Sequence, residues 1–284
     1  MNRRVYLFVD FGGPLMDDNE VEKLRKKSVL EACKKSGVLL DMATVDARVL
    51  DVSESDFEAK YDEAKKVLKK SSEESEAYND INRLAITLSF LINGPNYKKL
   101  VSSVKSESSQ KFWEVFSTPI KKIASKSMKK DSLKALKNIL GKHELQFHLV
   151  IDNWPDLFHR SFEPVIKKKF LEYGLPKMEY RHIGNSRKSN NCLYVSGEGW
   201  GNKKFPKTWD LIFSDVGVKI DDVIFFVDNT VEKLDGFRMY AEQNGIKYFN
   251  PIQFFDGKEN KSTMYQNIIS LKNLEVLMLE LVEK

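Results

Sequence analysis

Two short apolar runs in this sequence each end in an aspartate, and they constrain the fold more than any other feature. Val5–Val9 is followed by Asp10, and residues 223–227 are followed by Asp228. Unbroken β-rich runs are typical of strands buried on both faces, which occur in parallel sheets covered by helices. Ligands of such sheets bind at the carboxyl ends of the strands. We therefore expect both carboxylates at one edge, where they can hold a divalent cation or attack a substrate.

The composition indicates a chain that folds without disulfide bonds. Its 284 residues are 42% hydrophobic and 11% aromatic, which suffices for one large domain or two modest ones. Cys33 and Cys192 form no CxxC pair, so the sequence suggests neither a disulfide framework nor a zinc ribbon. The sequence also lacks a long apolar span and the pattern of a secretory signal. We expect a cytoplasmic protein without membrane partners.

The net charge of +5 comes from lysines spread along the whole sequence. Acidic residues interleave with most of the lysine doublets, whereas nucleic-acid binding usually requires basic residues gathered on one face. We therefore expect solvated helix faces rather than a nucleic-acid partner, with a weak attraction for small anions. The sequence does not indicate an oligomeric state.

The order of the predicted elements divides the chain into a core and an insertion. From about residue 18 to residue 145, the sequence is almost entirely of helical type, with polar breaks between segments. From residue 146 onward, strands alternate with helices, which indicates βαβ units. We predict an α/β fold in which residues 1–17 and 146–284 form a Rossmann-like parallel sheet with helices on both faces. Residues 18–145 are predicted to form an all-helical cap domain.

Individual elements follow from the same patterns. Within the insertion, helices are predicted over residues 57–69, 78–91, 110–126 and 132–140, with the second of these at the centre of a small bundle. Near the end of the chain, the patterns predict a short strand over residues 246–249 and a helical tail over residues 262–282.

The order of the candidate motifs resembles the haloacid dehalogenase-like hydrolase superfamily. The family's opening motif, Asp-x-Asp-Gly-Thr-Leu, is similar to the segment that begins at Asp10, in which Gly12 and Gly13 occupy the third and fourth positions. The second motif of the family ends in Ser or Thr followed by Asn. Asp152 and Asn153 occupy that place here, directly after a predicted strand.

The later motifs of the family also have counterparts in this sequence. Its basic motif, commonly Lys-Pro-x-Pro, is similar to the segment that begins at Lys203, with Lys204 and Lys207 as alternative active-site lysines. Its last motif combines an Asp at a strand end with a further acid a few residues later, as Asp228 and Glu232 do here. The resemblance therefore covers nearly the whole chain.

This resemblance implies a Mg²⁺-dependent hydrolase that acts through a covalent aspartyl intermediate on a small molecule, with phosphorylated molecules as the first candidates. Asp10 would be the nucleophile, and Lys203 would place a positive charge beside it. Asp10, Gly12, Asp228 and Glu232 would hold the metal, with Asp235 as an alternative to the last of these. The matched residues expected at the substrate are Gly12, Gly13, Asn153 and Lys204, and Asp152 is expected among the catalytic residues.

Two substitutions argue against an ordinary phosphatase. Gly12 replaces the second aspartate of the family motif, a general acid and base, and such assistance is typically worth about 10²- to 10⁴-fold in rate. Asp152 replaces a hydroxyl donor. An ionised carboxylate there would repel a phosphoryl oxygen by about 4 kcal/mol at ~4 Å and an effective dielectric near 20.

Three interpretations of these substitutions stay open from the sequence. Crowding by Asp10 could keep Asp152 protonated, so that it donates a hydrogen bond or serves as the general acid. The substrate could instead be a haloacid or a phosphonate, since family branches with those substrates also lack the second aspartate. Alternatively, the chain is a catalytically degenerate binding or regulatory protein that retains the fold.

Overall fold

A parallel β-sheet forms the centre of the computed structural model, which describes residues 3–58, 104–153, 155–182, 190–255 and 261–282. Its strands in chain order are β1 (Val5–Val9), β2 (Gln146–Ile151), β3 (Glu179–Tyr180), β4 (Asn191–Val195), β5 (Val223–Asp228), β6 (Tyr248–Phe254) and β7 (Gln266–Ile268). The spatial order is β3-β4-β2-β1-β5-β6-β7, and neighbouring strands pair in parallel. The predicted parallel α/β fold is therefore confirmed.

Helices account for most of the other regular structure in the described residues. They are α1 (Asn19–Ser36), α2 (Val38–Ala43), α3 (Ser106–Ser127), α4 (Lys130–Lys142), α5 (Pro155–Leu157), α6 (Glu163–Tyr173), α7 (Pro206–Val216), α8 (Val231–Gln243) and α9 (Leu271–Val282), with a π-helical turn at Phe158–Phe162. None of the described helices combines the length and the apolar character that crossing a membrane requires.

The chain divides into two compact units. The first comprises Met1–Asp18, Ser127–Asn153 and Ile166–Lys284 and contains the sheet, whereas the second comprises Asn19–Lys126 and Trp154–Val165. The described part of the second unit contains helices and no strand of the sheet. The bounds of the second unit differ from those of the predicted cap over residues 18–145. Helix α4 lies within that range but belongs to the first unit, whereas α5 lies outside that range but belongs to the second unit. The role of the helical insertion as a cap stays a prediction.

Aromatic residues pack one face of the central strands against helices of the first unit. Phe226 on β5 meets Trp209 on α7 with ring centroids 4.6 Å apart, and Trp209 lies 4.9 Å from Phe237 on α8. All three side chains are fully buried. Edge-to-face ring pairs of this kind contribute roughly 0.5–1.5 kcal/mol beyond the burial of apolar area. This packing fixes α7 and α8 beside the sheet, with consequences for the site described below.

Several predicted elements agree with the structure and others do not. Helices α3 and α4 match the predictions at residues 110–126 and 132–140, whereas the helix predicted at residues 78–91 and most of that at 57–69 lie outside the described residues. The prediction of a helix over residues 262–282 is wrong at its beginning, because residues 266–268 form β7. This segment gains a parallel partner in β6, and such tertiary pairing overrides local helical preference.

The short strand predicted at residues 246–249 is also shifted in the structure. Strand β6 begins at Tyr248 and continues to Phe254. Ile246 instead closes the end of α8, since its amide donates to the carbonyl of Ala241 at 2.9 Å. The helix end and the neighbouring strands therefore set the limits of β6, and a local apolar pattern does not contain that information.

Candidate active site

Three adjacent strands each deliver one aspartate to the carboxyl edge of the sheet. Asp10 follows β1, Asp152 follows β2, and Asp228 is the last residue of β5. Val9 pairs with Val227, and the amide of Asp10 donates to the Val227 carbonyl at 2.9 Å. Because β1 lies between β2 and β5, the three carboxylates leave the sheet as neighbours.

The ammonium group of Lys203 lies among these carboxylates. Its Nζ is 2.6 Å from Asp10 Oδ1, 2.7 Å from Asp228 Oδ2 and 3.9 Å from Asp152 Oδ2, and it donates to the carbonyl of Val150 at 2.9 Å. The lysine is completely buried. A buried ammonium without partners would be strongly destabilising, so these carboxylates account for its presence inside the protein.

The loop that carries Lys203 is fixed by residues that sequence reasoning did not select. The indole Nε1 of Trp209 donates to the Lys203 carbonyl at 2.8 Å. A Cβ atom on Gly236 would lie 2.4 Å from the carbonyl of Lys204 and 2.6 Å from that of Lys203. Helix α8 can approach this backbone only because residue 236 has no side chain. Glycine inside a helix costs about 1 kcal/mol relative to alanine, and this cost was the available signal in the sequence.

The other residues predicted at the substrate lie near this cluster in different roles. The ammonium of Lys204 lies over the ring of Phe205, 4.6 Å from its centroid, and Lys207 is exposed. The amide of Asn153 donates to Ser196 Oγ at 3.2 Å. Of the three competing lysines, the one at position 203 is therefore the one that the loop brings into contact with the aspartates.

A second lysine, Lys233 on α8, also joins the cluster. Its Nζ lies 3.0 Å from Asp152 Oδ2, and both side chains are mostly buried. Burial alone would lower the pKa of Lys233, but the charges of Asp228, Asp152 and Asp10 raise it well above its usual value. Sequence reasoning missed this residue. A lysine in the first turn of a helix opposes the helix dipole, and this local conflict was the available signal for Lys233 in the sequence.

The pKa values of the two aspartates shift in opposite directions. Burial would raise the pKa of Asp152, but the ammonium groups of Lys233 and Lys203 hold it below its usual value. This direction is opposite to the one that a protonated Asp152 would require. Burial raises the pKa of Asp10 to about 6, against the attraction of Lys203 and together with repulsion from Asp228. Both carboxylates are therefore ionised at neutral pH.

Two glycines let the backbone turn closely around Asp10. Gly13 has a left-handed φ of 83°, and a Cβ atom there would lie 2.7 Å from Cγ of Asn229. A Cβ atom on Gly12 would lie 3.2 Å from Asp18 Oδ2 and 3.9 Å from Asp10 Oδ2. The carboxylate of Asp18 thus borders the space that a side chain at position 12 would enter. In the sequence, Asp18 stands out only as a possible capping residue before the first helix, and no local pattern places it near Asp10.

The two acids proposed to complete the last motif have different surroundings. Glu232 is exposed in the first turn of α8, and Asp235 accepts a hydrogen bond from the hydroxyl of Tyr265. Within the described residues, no group of three or more His, Cys, Asp and Glu side chains is arranged to hold a metal ion. The carboxylates that the structure does bring to one place are those at the strand ends.

Asp10 and Asp228 nevertheless offer the donor type that Mg²⁺ prefers, which is the carboxylate oxygen. Asp228 Oδ1 accepts a hydrogen bond from the amide of Thr230 at 2.9 Å. Asp228 Oδ2 is buried and meets the Lys203 ammonium outside hydrogen-bond geometry, with no hydrogen bond in the described part of the chain. A buried carboxylate oxygen with free lone pairs fits a cation, so these residues are compatible with Mg²⁺.

Solved structures of known proteins share the architecture of this chain. The hydrolase YfnB of Bacillus subtilis, whose structure contains magnesium, matches 98% of this chain and 99% of its own with a TM-score of 0.56 and 11% identity. The 2-haloacid dehalogenase of Pseudomonas syringae pv. Tomato DC3000 has the same coverage, a TM-score of 0.55 and 12% identity. The β-phosphoglucomutase of Clostridium difficile matches 98% of this chain and 96% of its own with a TM-score of 0.50 and 10% identity.

No protein-family model and no protein with a curated function matches the sequence of this chain. At identities of 10% to 12%, the structural likeness shows the fold alone. The structural likeness extends over nearly the whole chain, as does the resemblance in the order of the sequence motifs. The chain therefore has the haloacid dehalogenase-like fold.

Proposed function

We propose that this chain is a hydrolase that acts on a small molecule through nucleophilic attack by Asp10. The observation that carries the proposal is the buried ammonium of Lys203, which lies 2.6 Å from Asp10 and 2.7 Å from Asp228. Ion pairs inside proteins contribute little net stability, because desolvation offsets most of their attraction. A buried cluster at the ligand-binding edge of a parallel sheet is instead what a catalytic site requires.

Each residue of the cluster has a chemical role in this proposal. With a pKa of about 6, Asp10 is ionised at neutral pH and is a stronger base than an ordinary carboxylate. Lys203 orients that carboxylate and offsets the negative charge that an anionic substrate brings. Attack by an Asp10 oxygen on a phosphoryl group forms an aspartyl phosphate and expels an alkoxide, which takes its proton from water because residue 12 is a glycine. Water then cleaves this intermediate and restores the carboxylate.

Magnesium dependence is part of the proposal. Asp10 and Asp228 would hold the ion, and the buried Asp228 Oδ2 atom supports this assignment. When bound, Mg²⁺ neutralises charge on the group being transferred. The residues of this chain still perform the other tasks, since Lys203 and Lys233 supply fixed positive charge and Asp10 supplies the nucleophile.

Phosphorylated small molecules are the first substrate candidates because two ammonium groups face this edge. A second candidate class, the 2-haloacids, is favoured by Gly12. A halide leaves without a proton, so the absence of an acid at that position would not slow its departure. The 2-haloacid dehalogenase among the structural neighbours has the same fold. The cap role of residues 18–145 belongs to this proposal as the source of substrate specificity.

Single-turnover reactions in water enriched in oxygen-18 test the proposal. Wild type and Asp10→Asn are each incubated with a panel of phosphomonoesters, phosphonoacetaldehyde and 2-haloacids, with and without Mg²⁺. Water attacks an aspartyl phosphate at phosphorus, so the label enters inorganic phosphate. It attacks a carboxylic ester at the acyl carbon, so the label enters Asp10 itself and mass spectrometry of the peptide detects it.

The control variant for this experiment is Asp221→Asn, which neutralises an aspartate that is 60% exposed in its ion pair with Lys247. It should match wild type in every reaction, whereas Asp10→Asn should release no product. If wild type turns over no member of the panel and binds neither Mg²⁺ nor orthovanadate, the hydrolase proposal is wrong. The chain would then be a binding or regulatory protein on the same fold.

A further inference from the structure

The ion pair between Asp152 and Lys233 gives the candidate site a feature that its other residues do not explain. We infer that these two residues act as one unit, in which Asp152 positions Lys233 to bind an anionic group of the substrate. This inference rests on the proposed function and adds Lys233 to the residues that contact the substrate. It also removes the conflict that an aspartate at position 152 creates for an anionic ligand.

The first step of the argument concerns the donors of Lys203. Its Nζ has oxygens of Asp10, Asp228 and Val150 within 2.9 Å, as many as its three N–H groups. All of these oxygens belong to the protein, and the side chain is fully buried. Two of its N–H groups donate to Asp10 and Val150, and its contact with Asp228 is an ion pair outside hydrogen-bond geometry. Because it is buried against these protein oxygens, Lys203 can neutralise charge in the cluster but is poorly placed to bind a ligand.

Lys233 differs from Lys203 in its number of partners. Among the carboxylates of the described residues, only Asp152 lies within 4 Å of its Nζ, at 3.0 Å. One N–H group suffices for that contact, which leaves two for a ligand. The side chain is 19% exposed, so a small molecule at the carboxyl edge can reach it. Lys233 is thus the cation of this cluster that is best placed to bind an anion.

The second step concerns charge. Asp10, Asp152 and Asp228 carry three negative charges and the two lysines carry two positive ones, so the cluster has a net charge of −1. Without Lys233 the net charge would be −2, and Asp152 would compete with Asp10 for Lys203, which is 3.9 Å from it. Without both Asp152 and Lys233 the net charge returns to −1.

These charges predict that the two substitutions compensate each other. Lys233→Met alone leaves an ionised Asp152 facing the ligand and should weaken the binding of an oxyanion. In Asp152→Ser/Lys233→Met, a neutral hydroxyl replaces the pair and can itself donate a hydrogen bond to the oxyanion. The double variant should therefore bind an oxyanion more tightly than Lys233→Met, although it carries one change more.

The experiment measures orthovanadate affinity in the presence of Mg²⁺ by calorimetry for wild type, Lys233→Met, Asp152→Ser and the double variant. We expect Lys233→Met to weaken binding by about tenfold or more, as close charge pairs at binding sites do, and the double variant to recover most of that loss. Lys233→Arg retains the charge and should bind within a fewfold of wild type. Circular dichroism establishes that each variant is folded, and Lys233→Gln replaces Lys233→Met if the latter does not fold.

A matched control comes from the pair formed by Asp221 and Lys247, whose charged atoms are 2.7 Å apart but whose side chains are 60% and 56% exposed. Asp221→Ser, Lys247→Met and their combination should leave vanadate affinity unchanged. If wild type binds neither vanadate nor Mg²⁺ and turns over no member of the substrate panel, the proposed function itself fails. If wild type turns over a member of the panel but binds no vanadate, the inference fails while the function stands. If wild type binds vanadate and Lys233→Met binds it equally well, the inference fails while the function stands. A double variant as weak as Lys233→Met would show that the two residues are not one unit.

Discussion

Strand β5 has a buried aspartate at each end, and the two differ in how their oxygens are satisfied. Asp222 precedes the strand and is 4% exposed. Its Oδ1 accepts the amide of Arg4 at 3.2 Å, and its Oδ2 accepts the amide of Lys219 at 2.8 Å and the Arg4 guanidinium at 2.9 Å. The carboxylate is thus held mainly by backbone groups and ties the start of β5 to the segment before β1.

Asp228, at the other end of the same strand, is completely buried but less well satisfied. One oxygen accepts the amide of Thr230, while the other faces the Lys203 ammonium, which Asp228 shares with Asp10. Buried polar groups are normally hydrogen-bonded, so an exception at the ligand-binding edge indicates a function. Comparison of the two ends shows that satisfied hydrogen bonds, and not burial alone, distinguish a structural aspartate from a candidate catalytic one.

Neutralising each aspartate in turn tests whether the two ends of β5 differ in function as this comparison states. Asp228→Asn should lower kcat/KM by about a thousandfold, the scale on which removal of one preorganised electrostatic group acts. It should not lower the melting temperature. Three carboxylates share two ammonium groups in this cluster, so removing one negative charge also reduces the repulsion between carboxylates. Steady-state kinetics with the substrate found in the labelling experiment and thermal unfolding give the two readouts.

The reciprocal change, Asp222→Asn, should give the reverse pattern. It should lower the free energy of unfolding by roughly 2 kcal/mol, because it weakens several hydrogen bonds to a buried group, and leave kcat/KM near the wild-type value. Equal losses of activity in the two variants, or a large loss of stability in Asp228→Asn, would contradict the distinction between the two ends.

Gly236 provides a test of how the loop that carries Lys203 is held beside the aspartates. Gly236→Ala places a Cβ atom 2.4 Å from the Lys204 carbonyl, so helix α8 or the lysine loop must move. We expect a loss of about 3 kcal/mol in the free energy of unfolding, the upper range for overpacking, together with reduced activity as Lys203 leaves its position. Urea unfolding measures the first effect.

Gly141 is the matched control for this change. It lies in helix α4, has no positive φ, and a Cβ atom there would have no neighbour within 4 Å. Gly141→Ala should therefore stabilise the protein by about 0.4–1 kcal/mol through the unfolded state. If both alanine variants behave alike, the close approach of α8 to the lysine loop does not hold Lys203.

The ends of the central strands could be predicted from the sequence. The residues whose role depends on contacts between different elements could not. Asp10 and Asp228 each follow a short apolar run. Such a run can be recognised from the types of a few consecutive residues, without knowledge of tertiary contacts. Asp152 follows a run of the same kind in β2. The central part of the parallel sheet could be predicted for the same reason, since β1, β2 and β5 each carry a local pattern, whereas β7 and the limits of β6 depend on pairing with neighbouring strands.

The rest of the site depends on contacts between distant segments. The basic motif begins at Lys203, but Lys204 and Lys207 are alternatives in the sequence. Contacts of Trp209 and Gly236 with the backbone of the loop hold Lys203 at the aspartates. Lys233 and Gly236 were missed although each is locally unfavourable, one against the helix dipole and the other in helix propensity. Such conflicts between local preference and position are themselves signals of tertiary contacts. Asp18 carries no comparable signal, because it reaches Gly12 only through the fold.

The pH dependence of activity and stability tests whether Asp10 acts as an ionised carboxylate. Because the pKa of Asp10 is raised to about 6, its reactive carboxylate is lost below that pH, and kcat/KM should fall by about tenfold for each further unit. A folded-state pKa above the usual 3.8 also means that this group favours the folded state below pH 3.8 and loses that contribution as the pH rises through about 6.

Asp10→Asn has no such titration, so its melting temperature relative to wild type should increase between pH 4 and pH 7. Asp152 has the opposite sign, because its lowered pKa contributes stability near neutrality that is lost as the pH falls below its usual range. Parallel melting curves of wild type, Asp10→Asn and Asp152→Ser separate the two contributions. A rate profile that is flat from pH 5 to pH 8, with no relative change in melting temperature for Asp10→Asn, would mean that Asp10 is not the group whose ionisation controls this site.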